Sequence, residues 1–238
     1  MITKILQNLP FELNADELAQ RLSVPDALRE EFDDIFAEAL AVANPKVIYT
    51  IAPVEITGER EVRVGDITFV SKVLAVNMEN VKTAFPYVAT GGRELHDLYQ
   101  SKSDDLEKFW VNTIAERALG AGLANGLQKI REDEATGQLY AMNPGSLPDW
   151  PISQQRPLFH LLGDVMAQIG VELTESFLMM PIKSTSGLLF EAKEHYTNCS
   201  LCPRENCPGR RDPFDEALVR EKYGLDEKAD TVFNHLEW

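Results

Sequence analysis

Residues Ile169 to Phe190, IGVELTESFLMMPIKSTSGLLF, decide how the chain is read. Two short apolar runs, Phe177–Met180 and Ser186–Glu191, are bounded by Gly, Pro and Ser. Short apolar runs between turn residues are the pattern of strands joined by tight connections. Met179 and Met180 are expected in the core.

Upstream, Asn143 to Pro157, NPGSLPDWPISQQRP, holds four prolines and one glycine. That density leaves few donors for a helix or a ladder, so the segment reads as a loop. A loop of this length inside a domain is often functional. Asp149 and Trp150 are weighed as a lid over a planar ligand and as an anchor for the loop; the anchor is the simpler account. A helix is expected from Gln155 to Gln168, split near Gly163. Glu175, with Thr174 and Ser176, is weighed as a ligand-contacting turn and as a buried carboxylate satisfying backbone N–H groups.

Further upstream, Asn14 caps a predicted helix over 15–22, with Glu17 at the capping-box position. A second helix is expected from Pro25 to Ala43, ended by Asn44-Pro45. Strands are expected at 46–56, 61–64, 67–70, 84–90 and 138–142, with a helix over 73–81 and another over 93–99. A long helix spans 105–132, about 40 Å at 1.5 Å per residue. Ala118, Gly122 and Gly126 recur every four residues, a small-residue stripe that suits close packing of the helix on a sheet. The mixture of helices and hairpin-joined strands gives an α+β class. The whole chain, 1–238, is taken as one unit with an N-terminal helical part over about 1–45 and a cysteine-rich segment over about 195–238.

Bulk properties exclude several classes. The net charge is −15, from 23 basic and 38 acidic residues, which would repel a nucleic-acid polyanion. No apolar run approaches the ~20 residues of a membrane span. The N-terminus is too polar for a signal peptide. A cytoplasmic protein is expected. The spacing of Ser, His and Asp residues suggests no hydrolytic triad.

All three cysteines fall between Cys199 and Cys207. The spacing Cys199-x2-Cys202-x4-Cys207 is ligand-like, and Arg204, Arg210 and Arg211 would offset thiolate charge. Three thiolates can hold an iron–sulfur cluster with one open site. Adding His195 would make a Cys3His zinc site. A dithiol–disulfide pair between Cys199 and Cys202 is the third option, and three unligated surface thiols the fourth.

The segment from Asn143 to Phe190 resembles the reactivation domain of cobalamin-dependent methionine synthase. Pro144-Gly145, Leu161-Leu162, Ile169-Gly170, Leu173-Thr174-Glu175-Ser176, Met179, Pro181 and Ser184-Thr185-Ser186-Gly187 follow in that domain's order. It is similar also to stand-alone relatives in anaerobic bacteria, which carry a PGYGDWPL-type loop (here PGSLPDWPI) and end in a cysteine cluster. Upstream, Val88-Ala89-Thr90-Gly91 fits the same relatives.

The resemblance implies a C-shaped α+β domain, a twisted, mainly antiparallel sheet with flanking helices. It implies S-adenosylmethionine bound close to a corrinoid, with an electron donor returning cob(II)alamin to cob(I)alamin before methylation. The cofactor-binding positions it implies here are Pro144, Gly145, Ser146, Glu175, Ser186, Gly187 and Phe190. Three positions depart from the family pattern. The ligand-binding Arg falls on Ala141, a Tyr falls on Ser146, and a second Tyr falls on Leu189. Alanine cannot replace an arginine that grips a carboxylate with two hydrogen bonds. The chain carries no Asp-x-His-x-x-Gly motif, so a corrinoid would arrive on a partner, a corrinoid-carrying protein or methyltransferase.

Overall fold

The structure, a computed structural model, describes residues 1–135, 137–192, 196–207 and 209–225. Alternation along β2 (Lys46–Gly58) sets the layering. Successive side chains of a strand point to opposite faces. Val47 and Tyr49 therefore join one buried cluster, while Ile48 and Ala52 join another.

Seven strands form one antiparallel sheet. Along its path stand β4 (Ile67–Val70), β3 (Glu61–Val64), β2, β5 (Thr83–Thr90), β9 (Ser184–Glu191) and β6 (Leu139–Met142). The first half of β2 also pairs with β1 (Ile2–Leu6). This strand precedes the helices expected in the N-terminal part over about 1–45. The apolar residues of ITKIL, Ile2, Ile5 and Leu6, do not alternate, and the strand is mostly exposed, so no strand pattern announces it. The open edge of β2 supplies its hydrogen bonds, and Thr3 Oγ1 meets Thr50 Oγ1 at 2.8 Å.

Helices cover both faces. On one side α1 (Ala15–Arg21), α2 (Arg29–Val42), α4 (Arg93–Ser101) and α5 (Asp105–Glu134) share a core around Phe32, Trp110 and Ile114. The Trp110 and Phe32 rings stand perpendicular, with centroids 5.4 Å apart. Asn14 caps α1 by accepting the Glu17 N–H at 3.0 Å, as expected from the sequence. The small-residue stripe of α5 lies on the sheet. A Cβ at Gly122 would sit 2.4 Å from Pro45 Cβ, and one at Gly126 would sit 2.7 Å from Val47 Cγ2. Contacts this close admit no side chain, so the stripe is a packing surface.

The other face carries α3 (Lys72–Asn77), α6 (Gln155–Leu162), α7 (Val165–Ile169) and α8 (Glu216–Tyr223). Helix α3 ends at Asn77, short of the expected Val81. Pairing of β7 (Glu172–Leu173) with β8 (Met179–Met180) makes a separate small hairpin. The strand expected from Phe177 begins only at Met179, because Phe177 adopts φ +64 within the turn. Met179 packs against the core and is partly buried. No helix among the described residues is long and apolar enough to cross a membrane.

Candidate functional site

The loop between β6 and α6 is built by two turns. Gly145 has φ +82, and its N–H donates to the Trp150 carbonyl at 2.7 Å. A Cβ at Gly145 would lie 2.7 Å from Ile152 Cδ1. Glycine is thus required for both backbone angle and space. Ser146 N–H donates to the Asn143 carbonyl and Trp150 N–H to the Leu147 carbonyl, each at 3.1 Å. Pro144 is buried beneath these turns.

Asp149 and Trp150 anchor the loop. The Asp149 carboxylate accepts from Arg60 Nη2 at 2.6 Å, from the Ser71 hydroxyl, and from the Val73 N–H at 2.9 Å. It thereby ties the loop to the start of α3, where an anionic acceptor suits the unpaired N–H groups. Trp150 is 1% exposed and stands edge-on to Phe69. Gln154 completes the attachment. Its amide accepts from Val70 N–H at 2.8 Å and donates to Val70 O at 2.7 Å, as a paired strand residue would.

Ser186 and Gly187 of β9 meet this loop. Asn143 Nδ2 donates to the Ser186 carbonyl at 2.7 Å and to the Tyr87 hydroxyl at 3.0 Å. Gln155 Nε2 donates to Ser186 Oγ at 2.9 Å. A Cβ at Gly187 would stand 2.4 Å from the Met142 carbonyl oxygen, so only glycine permits this approach. Burial pushes the Tyr87 phenol up, and hydrogen bonds from Asn143 and Thr185 and the Arg211 charge oppose the rise. Two polar atoms of this cluster find no hydrogen-bond partner among the described residues: Gln155 Oε1 and Trp150 Nε1. Both belong to side chains almost wholly removed from solvent, where an unmade hydrogen bond is costly. They mark where an added polar group would be satisfied.

The sequence-predicted positions therefore divide. Pro144, Gly145, Ser146, Ser186 and Gly187 converge. Phe190 lies on the same strand but is fully buried in the core. Glu175 sits apart on the β7–β8 turn and is exposed, which overturns the buried-carboxylate reading. Its turn is tied to α6 by Arg156, which reaches the Glu175 carbonyl at 3.5 Å and lies over the Phe177 ring. Thr174 rather than Glu175 holds the turn, its hydroxyl accepting the Leu178 N–H at 3.0 Å. Asn143, Gln155 and Tyr87 were not singled out by sequence. A buried amide is recognisable only from its distant partners.

Two of the three positions where the resemblance implies a departure, Ala141 and Leu189, are cross-strand neighbours, and the third, Ser146, lies in the loop. Ala141 pairs with Leu189 in the β6–β9 ladder. Leu189 is buried, and Ala141 packs against the same cluster beneath α5.

In the cysteine segment, Cys199, Cys202 and Cys207 are free and partly buried. His195 lies outside the described residues. Among the described residues no three His, Cys, Asp or Glu side chains are grouped to hold a metal. Cys199 Sγ instead accepts the Arg211 N–H at 3.4 Å. That backbone N–H above all, with a second from Asp212 and the two arginine charges, holds the Cys199 thiol below its usual range against the opposing effect of burial. The three cysteines are thus not grouped as a metal site among the described residues, and the fourth ligand of the zinc option, His195, lies outside them. Leu201, Val219 and Tyr223 bury the segment's apolar side against the core, and Tyr223 donates to Asn77 Oδ1 at 2.8 Å.

Residues 127–208 match the family model described as vitamin B12 dependent methionine synthase, activation domain. That range includes the loop, Ser186, Gly187 and all three cysteines. No curated protein sequence matches the chain. Among solved structures, the crystal structure of the MetH reactivation domain bound to AdoHcy is similar, with 16% identity and a TM-score of 0.58, covering 83% of this chain and 81% of that one. At that identity the likeness is one of fold. The chain is thus similar to the methionine synthase activation domain in sequence over the segment that carries the loop, and in fold through its curled antiparallel sheet and flanking helices.

Proposed function

We propose that this protein is an accessory of a corrinoid-dependent methyltransferase, supporting reductive activation or methylation of a corrinoid held by a partner. The observation that carries the reading is the coincidence of the family match, 127–208, with the loop-and-strand cluster around Asn143, Gln155 and Ser186. The corrinoid and a methyl or electron donor supply the chemistry when bound. The chain's own residues bind and orient. Asn143 fixes the loop against β9, Gly145 and Gly187 allow backbone to approach closely, and Gln155 Oε1 offers an acceptor to an incoming donor.

The test is calorimetry and visible spectroscopy of the full chain with a corrinoid-loaded methyltransferase and with free corrinoid. Saturable binding to the loaded partner, weakened by Gln155→Ala, is expected. Absence of binding to either form overturns the reading.

A second reading is an interaction or electron-transfer module on the same fold that no longer holds S-adenosylmethionine. The Ala141–Leu189 pair favours it, because both side chains are apolar where the family carries an arginine and a tyrosine. Corrinoid-partner binding without S-adenosylmethionine binding would join the two readings. Neither form of binding would leave only the second.

A further inference from the structure

We propose that Cys199 and Cys202 form a dithiol–disulfide pair, with Cys199 as the attacking sulfur and Arg210 as the residue that holds the pair in place. The proposal goes beyond the accessory role and does not depend on it.

The backbone brings the two residues together. Asn198–Leu201 form a single 3-10 turn, which Thr197 caps by accepting the Ser200 N–H. Cys202 N–H donates to the Cys199 carbonyl at 3.3 Å. A four-residue turn closed by such a bond keeps its end Cα atoms within about 7 Å. A disulfide spans Cα separations of roughly 4.4–6.8 Å. The bridge thus needs side-chain rotation and little backbone movement.

One guanidinium organises this turn. Arg210 Nη1 donates to the Cys199 carbonyl at 3.1 Å and the Asp212 carbonyl at 3.2 Å. Its Nη2 donates to the Cys202 carbonyl at 3.1 Å and also to the Arg204 carbonyl. Both cysteine carbonyls are therefore gathered on one planar cation, whose fork geometry suits several acceptors at once. The Arg210 backbone N–H reaches the Cys207 carbonyl at 3.1 Å, which ties Cys207 to the loop through its backbone.

The two sulfurs are inequivalent. The Arg211 N–H points at Cys199 Sγ, and an N–H donated to sulfur favours the nucleophilic, negatively charged form. Cys202 leans on the main core beside Leu201. Neither sulfur belongs to an assembled three-ligand group among the described residues.

The exchange balances as follows. The Cys199 thiolate attacks one sulfur of a partner disulfide, whose S–S bond breaks, and the departing thiolate takes up a proton. The Cys202 thiolate then attacks Cys199 Sγ in the mixed disulfide, forming the Cys199–Cys202 bond and releasing the partner's second thiol. The chain loses two electrons, and the partner disulfide is reduced to two thiols. The reverse sequence reduces the pair with a partner dithiol.

The experiment uses the full chain, prepared reduced and without oxygen, and incubated in glutathione buffers of graded oxidation. Thiols are then alkylated and mapped by peptide mass. A single Cys199–Cys202 disulfide with Cys207 alkylated is expected. Cys202→Ser is expected to trap a glutathione adduct at Cys199, Cys207→Ser to behave as the unaltered chain, and Arg210→Ala to slow bridge formation while circular dichroism shows an intact fold. A bridge that includes Cys207 overturns the proposal, as do three independently modified thiols. Iron or zinc that co-purifies and shields all three thiols overturns it as well. No corrinoid is present, so this outcome is independent of the accessory role.

Discussion

Ala141 and Leu189 stand directly opposite each other across the β6–β9 ladder, and both pack into the cluster beneath α5. The resemblance implies an arginine and a tyrosine at these two positions. An apolar pair on one face of two neighbouring strands is a packing unit. It offers no donor to a carboxylate.

The first expectation follows from that pair. S-adenosylmethionine added alone should bind with a dissociation constant no tighter than about 1 mM, or about −4 kcal/mol. Isothermal calorimetry decides it. Micromolar binding would show that another group replaces the missing arginine.

Gly187 makes the second. A Cβ there collides with the Met142 carbonyl oxygen at 2.4 Å and with Asn143 Nδ2 at 2.6 Å. Gly187→Ala should destabilise the fold by about 1–3 kcal/mol, the usual cost of overpacking. At roughly 2–4 °C per kcal/mol for a chain of this size, the melting temperature should fall by about 2–12 °C. Thermal unfolding followed by circular dichroism reads the change.

Asp149 and Arg60 should differ in their effects. The Asp149 side chain is 2% exposed, whereas that of Arg60 is 46% exposed. Asp149→Ala strands the Ser71 hydroxyl and the Val73 N–H without their acceptor, at about 1–3 kcal/mol for each buried group left unpaired. Arg60→Ala removes one half-exposed partner, worth about 0–1 kcal/mol. Urea midpoints of the two variants should rank in that order. Equal shifts would mean that the ion pair, not the helix start, holds the loop.

Glu94 gives the stability a pH dependence. Burial pushes its carboxyl up, but the local backbone N–H, Lys46 and Asn44 pull it down further, so the net shift is downward. A lowered folded pKa means that the unfolded chain binds the proton more readily. The stabilisation is thus present above the ordinary carboxylate range and is lost as pH falls through the folded pKa. Glu94→Gln should flatten the acid side of a stability–pH profile while lowering stability at neutral pH. An unchanged acid limb would remove Glu94 from the account.

Much of the fold was legible in local pattern. The Asn14 cap, the long α5, the start of β9 near Ser186 and the Gly122–Gly126 stripe each follow from short-range chemistry. Strand β1 was not legible, because its apolar residues do not alternate and its pairing partner lies beyond α2. The site was half legible. Gly145 and Gly187 betray themselves as glycines in a loop and a strand. Asn143 and Gln155 are ordinary amides until the fold brings Ser186 and Tyr87 to them.

By itself the sequence determined the α+β class, the loop that begins at Asn143 and the grouping of three cysteines within nine residues. These depend on residue type, spacing and backbone preference. The tertiary structure decided what those features meet. It set Ala141 against Leu189, placed Gln155 on Ser186, exposed Glu175, and turned the Arg211 N–H toward Cys199. Such pairings join residues distant in the chain through packing and hydrogen-bond geometry, and linear spacing does not encode them.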